Sequence, residues 1–308
     1  MRKKIEDILF QEFGRIICSA AETAFLAGEL IRKEKVGQAV QKADVNVGHH
    51  AIVLDADVKS QSLIISRMGS EFPGVLFLVE EDDKNNNPRI ITEKTLGLID
   101  QSDIICADPL DGTTERALGS FGWSISIGIA EQGNLGGGAI YAPLVLGGLL
   151  VVAQVGKGIC AWEGGVEKKQ IKVSDKPMIR KGAILIGQDL IFLKQFQKFN
   201  YELARTAQMV NTASSCALGL AQVALGQKTA IIQPHQGPWD YIAGIPMVLE
   251  AGGAVVFYHY RSGNLEFSSH PDLPSFNPKI RNLGFIAGSH RAVEEIIELL
   301  QKTFVEKV

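Results

Sequence analysis

The stretch that most constrains the fold runs from Gly122 to Val173. Apolar β runs recur there between Gln132-Gly133-Asn134, Gly147-Gly148, Gly156-Lys157-Gly158 and Glu163-Gly164-Gly165. Turn signals at that spacing predict an antiparallel meander. Ahead of it, Ile5, Ile8, Leu9, Ile16, Ala20, Ala24, Ala27 and Ile31 keep a helical period and predict an amphipathic helix over 5–34. A polar loop, Gln38–His50, separates it from a second helix over Val58–Ser70, which Phe72-Pro73-Gly74 closes. A short strand Val75–Val79, a polar tract Asp82–Arg89 and a short helix over Thr92–Ile99 follow. Beyond the meander, strands at Ala183–Gly187, Thr229–Ile232, Ala254–Tyr258 and Leu283–Ala287 alternate with helices at Leu190–Lys198, Ser214–Leu225, Trp239–Glu250 and Ala292–Phe304. The order implies an α/β (α+β) protein in alternating layers, with an N-terminal half, 1–180, and a C-terminal half, 181–308. Gly136-Gly137-Gly138 lies between two strands rather than ahead of a helix, so it reads as a bulge or hairpin and not as a dinucleotide loop.

Composition removes several function classes. A net charge of −3 over 308 residues is wrong for a surface that coats a nucleic-acid polymer. Cys18, Cys106, Cys160 and Cys216 are far apart, with no metal-ligand spacing, and read as small hydrophobes in a reducing compartment. The basic N-terminus is followed by an apolar stretch broken by Glu6, Asp7, Glu12 and Arg15, unlike a secretory signal. No run approaches the ~18 apolar residues of a membrane span. The expected location is cytoplasmic. His49-His50, paired in a polar loop, read as solvated.

The chemistry concentrates at Asp108-Pro109-Leu110-Asp111-Gly112-Thr113-Thr114, which follows the apolar run Ile104–Ala107. A buried strand thus delivers two carboxylates, a glycine and two hydroxyls to one sheet edge, where α/β proteins place their sites. On its own the segment reads equally well as a turn, since Asp-Pro and Asp-Gly are turn dipeptides. Further acids recur at comparable places: Glu80-Glu81 at a strand end, Asp57 and Asp240 at helix starts. Read singly, the last two are N-caps. Read together, they cannot sit close and ionised without a cation, because two carboxylates ~4 Å apart repel by ~4 kcal/mol at an effective dielectric of ~20. Oxygen ligands without His or thiolate select Mg²⁺, Mn²⁺ or Ca²⁺, and paired cations serve displacement at phosphorus. Gly112 and the amides of Thr113 and Thr114 would then hold phosphate oxygens.

Glu80-Glu81, Asp108-Pro109-Leu110-Asp111-Gly112-Thr113, and Trp239-Asp240 ahead of Glu250-Ala251-Gly252-Gly253 resemble the inositol monophosphatase superfamily, in order and approximate spacing across essentially the whole chain. That superfamily includes fructose-1,6-bisphosphatases and 3′(2′),5′-bisphosphate nucleotidases. The resemblance implies a layered α-β-α-β-α sandwich, an Mg²⁺-dependent phosphomonoesterase inhibited by lithium, and a homodimer. It implies two or three Mg²⁺ ions, with Mn²⁺ as a substitute. Glu80, Asp108 and the Leu110 carbonyl would hold the first, and Asp108, Asp111 and Asp240 the second. Glu80 would also hold a third that positions the attacking water. Thr113, with Asp57 as its partner acid, resembles the pair that orients this water. Whether that pair or Glu80 takes the proton stays open.

The departures fall on the substrate side. Thr114-Glu115-Arg116 shares Thr114 with the usual continuation in inositol monophosphatases and Glu115 with that in bisphosphate nucleotidases. Ser214-Ser215-Cys216 opens the small-residue helix, and Gln233, seven residues before Asp240, replaces the glutamate that holds inositol hydroxyls. Val79 stands where a glycine is usual, and Asp55 precedes Asp57. The expected substrate is a small phosphorylated polyol or sugar, inositol monophosphate foremost, with nucleotide or fructose bisphosphates as alternatives. A metal- or phosphate-binding regulator on the same fold is the non-enzymatic alternative.

Overall fold

The computed structural model describes residues 11–35, 40–41, 52–81, 87–178, 180–261, 264–269 and 283–304. Ile5, Ile8 and Leu9 of the first expected helix, most of Gln38–His50 including His49 and His50, and the tract Asp82–Asn86 lie outside them.

Helix α1 is Arg15–Lys33, because Gly14 is extended (φ −68, ψ 154) and interrupts the period expected from residue 5. An antiparallel pair of two-residue strands, β1 (Val40–Gln41) and β2 (Ile52–Val53), precedes α2 (Asp55–Glu71). The first sheet has β3 (Leu76–Val79), β4 (Asp103–Asp111), β5 (Ser124–Glu131), β6 (Asn134–Ala142), β7 (Leu149–Gln154), β8 (Gly158–Glu163) and β9 (Val166–Glu167) in sequence order. Only β3 and β4 are parallel; the rest is the expected meander.

The second sheet has strands β10 (Ala183–Gly187), β11 (Met209–Ala213), β12 (Ala230–Gln233), β13 (Ala254–Arg261), β14 (Asn264–Ser268) and β15 (Leu283–Gly288). Their order is β11-β10-β12-β15-β13-β14, with β11, β10 and β12 parallel. Further α-helices among the described residues are α3 (Thr113–Ala117), α4 (Gln188–Phe192), α5 (Gln197–Thr206), α6 (Cys216–Ala224), α7 (Pro238–Tyr241), α8 (Gly244–Glu250) and α9 (His290–Thr303), and Glu93–Gln101, expected as a short helix, is a 3-10 helix.

Strand β4 shows how the layers arise. Ile105 and Ala107 pack with Ile17, Ala20, Ala24 and Ile64 of α1 and α2, whereas Ile104 and Cys106 face the cluster that holds Leu220 and Ile245 of α6 and α8. An apolar run buried on both faces is what a sheet covered on both sides requires. Phe257 and Phe285 of the second sheet join the α6–α8 cluster, while Ile184, Ile186 and Ile286 pack with Phe199 of α5 and Ile296 and Leu300 of α9. The sequence of layers is therefore α1/α2, sheet, α6/α8, sheet, α5/α9: the expected five-layer sandwich.

The glycines of the meander act here. Gly136–Gly138 lie in β6 beside a register shift at Ile129/Ala130, the expected bulge. A Cβ on Gly128 would meet the Ala243 nitrogen at 2.7 Å, and one on Gly138 would meet the Ala243 Cα at 3.0 Å. The α7–α8 connection thus rests directly on the sheet backbone, and Asp240 is carried close to the end of β4.

Candidate metal centre

Strand β4 pairs with β5 in register to Asp108 and again at Asp111, skipping Pro109 and Leu110. Pro109 brings no ladder donor, and a bulge at a sheet edge re-aims side chains. Both carboxylates consequently face the same pocket of chain. Helix α2 fixes the bulge from behind. Ser60 Oγ donates to the Pro109 carbonyl (2.7 Å), and Gln61 both donates to the Glu81 carbonyl (2.8 Å) and accepts from the Glu81 N–H (3.1 Å). The turn after Asp111 depends on Gly112, whose φ is +94 and whose added Cβ would meet the Gly122 carbonyl oxygen at 2.9 Å.

Ligand atoms of Asp108, Asp111 and Asp240 lie within 4.8 Å of one another, and all three residues are buried. Asp111 is held by the start of α6: Ser215 Oγ donates to Oδ2 (2.7 Å), as does the Ala217 N–H (2.6 Å), and the Cys216 N–H reaches Oδ1 (3.3 Å). Asp240, at the third position of α7, accepts the Gly237 N–H (3.0 Å). Asp108 accepts the Leu110 N–H (2.8 Å).

These donors do not neutralise the cluster. Burial, then Glu80, Asp111 and Asp240, push the Asp108 carboxyl well above its ordinary range. Burial, then Asp111 and Glu80, do the same to Asp240. Burial raises Asp111 to about 6 even though Ser215, Ala217 and Cys216 pull it down. Glu80 is half-buried at the end of β3 and stands outside the tight triad, yet its charge acts on all three members.

A divalent cation fits this donor set. The three clustered side chains offer oxygen alone, the preference of Mg²⁺-type ions. The neighbouring thiols of Cys106 and Cys216 are pushed up by burial and by Asp240, so they stay protonated and are poor ligands.

Residues 15–303 match the model of the inositol monophosphatase family. The chain belongs to that family. It is 28% identical over 247 residues to inositol monophosphatase 1 of Solanum lycopersicum, covering 77% of this chain and 82% of the relative. It is 25% identical over 226 residues to the fructose-1,6-bisphosphatase/inositol-1-monophosphatase of Thermotoga maritima, covering 73% and 78%. Among solved structures it superimposes on the extragenic suppressor protein suhB of Bartonella henselae with a TM-score of 0.72 at 25% identity, covering 94% and 99% of the two chains. Family membership and the clustered carboxylates make it a metal-binding phosphatase. No helix among the described residues is long and apolar enough to cross a membrane.

The other residues expected at the site divide. Thr113 Oγ1 lies 3.1 Å from Asp57 Oδ1 and 3.0 Å from the Leu110 carbonyl. Asp57 is buried at the third position of α2 and caps it from inside, accepting the Leu54 N–H (2.8 Å), so it is not the N-cap itself. Gly112 is half-buried and Thr114 and Ser214 are exposed. Ser215 and Cys216 are buried, and the Ser215 hydroxyl is engaged by Asp111, by the Leu218 N–H and by Ser124. Gln233 is buried with its Oε1 accepting from Gln236 Nε2 (3.2 Å).

Arg116, grouped with the substrate-side departures by its place in the motif, does something else. Its Nη2 donates to the carbonyls of Ile31 (3.0 Å) and Glu34 (2.6 Å), and its guanidinium lies 5.9 Å from the Trp123 ring centre. It is a buried clamp on the C-terminal end of α1, where a cation also suits the helix dipole. Arg116→Met should cost about 2 kcal/mol in urea unfolding, through lost charged hydrogen bonds, and leave KM unchanged. A shifted KM at unchanged stability would make it a substrate residue instead.

Sequence reasoning missed Ser60 and Gln61. Together with Asp57 they are polar residues at i, i+3 and i+4, one face of a helix. Three polar side chains on a face that should be apolar were the available signal.

Proposed function

We propose that the chain is an Mg²⁺-dependent phosphomonoesterase of small phosphorylated polyols or sugars, inositol monophosphate foremost. The observation that carries this reading is the buried triad Asp108, Asp111 and Asp240 beside the Thr113–Asp57 hydrogen bond. Glu80, Asp108, the Leu110 carbonyl, Asp111 and Asp240 would hold two or three Mg²⁺ ions, or Mn²⁺ in their place. When bound, such ions neutralise phosphoryl oxygens and lower the pKa of the attacking water.

The remaining work falls to the chain itself. Amides of Gly112, Thr113 and Thr114 hold the phosphate. Thr113 orients the water: it accepts one of the water's protons while passing its own to Asp57. Asp57→Asn should therefore lower kcat about 10²-fold, Thr113→Ala should do the same, and the double variant should be no worse than either, since one relay is broken once. Multiplied losses in single-turnover assays would mean that the two act separately.

The neutral Gln233 favours a second reading, fructose-1,6-bisphosphatase, because an amide does not repel a second phosphate as a carboxylate would. The name of the Thermotoga maritima relative joins both activities. Phosphate release from inositol 1-phosphate, fructose 1,6-bisphosphate and adenosine 3′,5′-bisphosphate with Mg²⁺ tests this. The highest kcat/KM is expected on inositol 1-phosphate, with inhibition by lithium. No release from any phosphomonoester would sink the reading. We further propose a homodimer in a reducing cytoplasm.

A further inference from the structure

The loop Pro234–Gly237 joins β12 to α7 and so carries Asp240, yet one of its side chains takes no part in the mechanism above. Strands β10 and β12 are parallel neighbours, Ile186 opposite Ile232. Asp189, just after β10, and His235, just after β12, therefore meet at the same strand ends. His235 Nε2 lies 2.7 Å from Asp189 Oδ2, and Nδ1 lies 3.3 Å from the Tyr260 hydroxyl at the end of β13. Both ring nitrogens are engaged, so the orientation of the ring is set.

Two residues further on, the Gly237 N–H donates to Asp240 Oδ2 at 3.0 Å. Gly237 is itself pressed against Trp239: a Cβ there would come within 2.4 Å of the ring. The direction of that N–H, and with it the aim of the Asp240 carboxylate, depends on where the two preceding peptide units lie. His235 ties one of them to the second sheet.

We infer that His235 is a positioning residue for the metal centre, holding through Asp189 and Tyr260 the loop that aims Asp240. The pair is 11% and 23% exposed, and a partly exposed contact of this kind adds little to stability even between full charges. A purely structural role would be correspondingly weak, whereas side chains that orient a ligand typically change metal affinity about 10–100-fold.

The inference rests on the metal-dependent reading, and isothermal titration of MgCl₂ into the substrate-free chain separates the two. His235→Ala should weaken Mg²⁺ binding about tenfold. His235→Gln, whose Nε2 can still donate to Asp189, should restore most of it. Asp189→Ala should also weaken binding, and the double variant should be no worse than His235→Ala, since that substitution already removes the Asp189 contact. If His235→Ala does not fold, Asp189→Asn against His235→Gln makes the same comparison. Variants that bind Mg²⁺ like the wild type, or that lose only thermal stability, overturn the inference alone. A wild-type chain that binds no Mg²⁺ overturns it together with the reading beneath it.

Discussion

Asp108→Asn is expected to lower kcat at least about 10³-fold and yet raise the thermal midpoint of the metal-free protein by about 2–4 °C. Both effects come from one fact. Asp108 is buried among Glu80, Asp111 and Asp240, and its negative charge is opposed by burial and by all three. Asparagine keeps the shape, and its carbonyl oxygen can still accept the Leu110 N–H, which now reaches Oδ1 at 2.8 Å. Its amide can also donate toward Asp240, whose carboxylate has an oxygen within 4.8 Å of Asp108. Repulsion is removed, while a carboxylate proposed to hold two cations is lost. Sites that trade stability for function behave in this way. Thermal unfolding in EDTA and phosphate release in MgCl₂ measure the two arms. A fall in the midpoint, or a loss of activity no larger than that of Asp57→Asn, would remove Asp108 from the centre of the site.

How much of this was legible beforehand follows from how local each feature is. That Asp108 and Asp111 would lie together was legible because both fall in one short run that also carries its own turn chemistry, Pro109 and Gly112. Alternating layers were legible from Ile104–Ala107, the meander and the order of elements, whereas their number, five, came from the family resemblance alone. Arg116 was misread because nothing in its own segment says that it meets the end of α1, 82 residues away at Glu34. The helix expected over Trp239–Glu250 is broken after Tyr241, and α8 begins at Gly244. Pro246, which lacks an N–H, was a signal that one continuous helix was unsuited to that stretch. Strand β11 was missed because it is an edge strand with mostly exposed side chains, Asn211 and Thr212 among them, and so shows no apolar period. His235 and Asp189 are 46 residues apart, and only the parallel pairing of β10 with β12 brings them together.

The stabilisation that Mg²⁺ confers should grow from pH 5 to pH 8, reversing the pH dependence of the metal-free chain. The sign follows from the direction of the shifts. Asp108, Asp111 and Asp240 all hold their protons more tightly folded than a free aspartate does. The folded state then binds more protons than the unfolded one, so stability contributed by these groups is complete below the unfolded pKa near 4 and is lost as pH rises through the folded value. For Asp111 that window ends at about 6. A rise from near 4 to about 6 withdraws ~3 kcal/mol across it. A cation that neutralises the ionised cluster returns a comparable amount, ~2.7 kcal/mol at a hundredfold excess over its Kd. At pH 5 protons already occupy part of the cluster and compete with the cation, so its added stabilisation shrinks. Calorimetry at both pH values, in EDTA and in MgCl₂, should show the metal-free midpoint falling with pH and the Mg²⁺-induced shift rising. A shift independent of pH would place the cation away from Asp108, Asp111 and Asp240. In Asp108→Asn, with one ionisable group fewer, both slopes should flatten together, because the repulsion that destabilises the metal-free chain is the same interaction that attracts the cation.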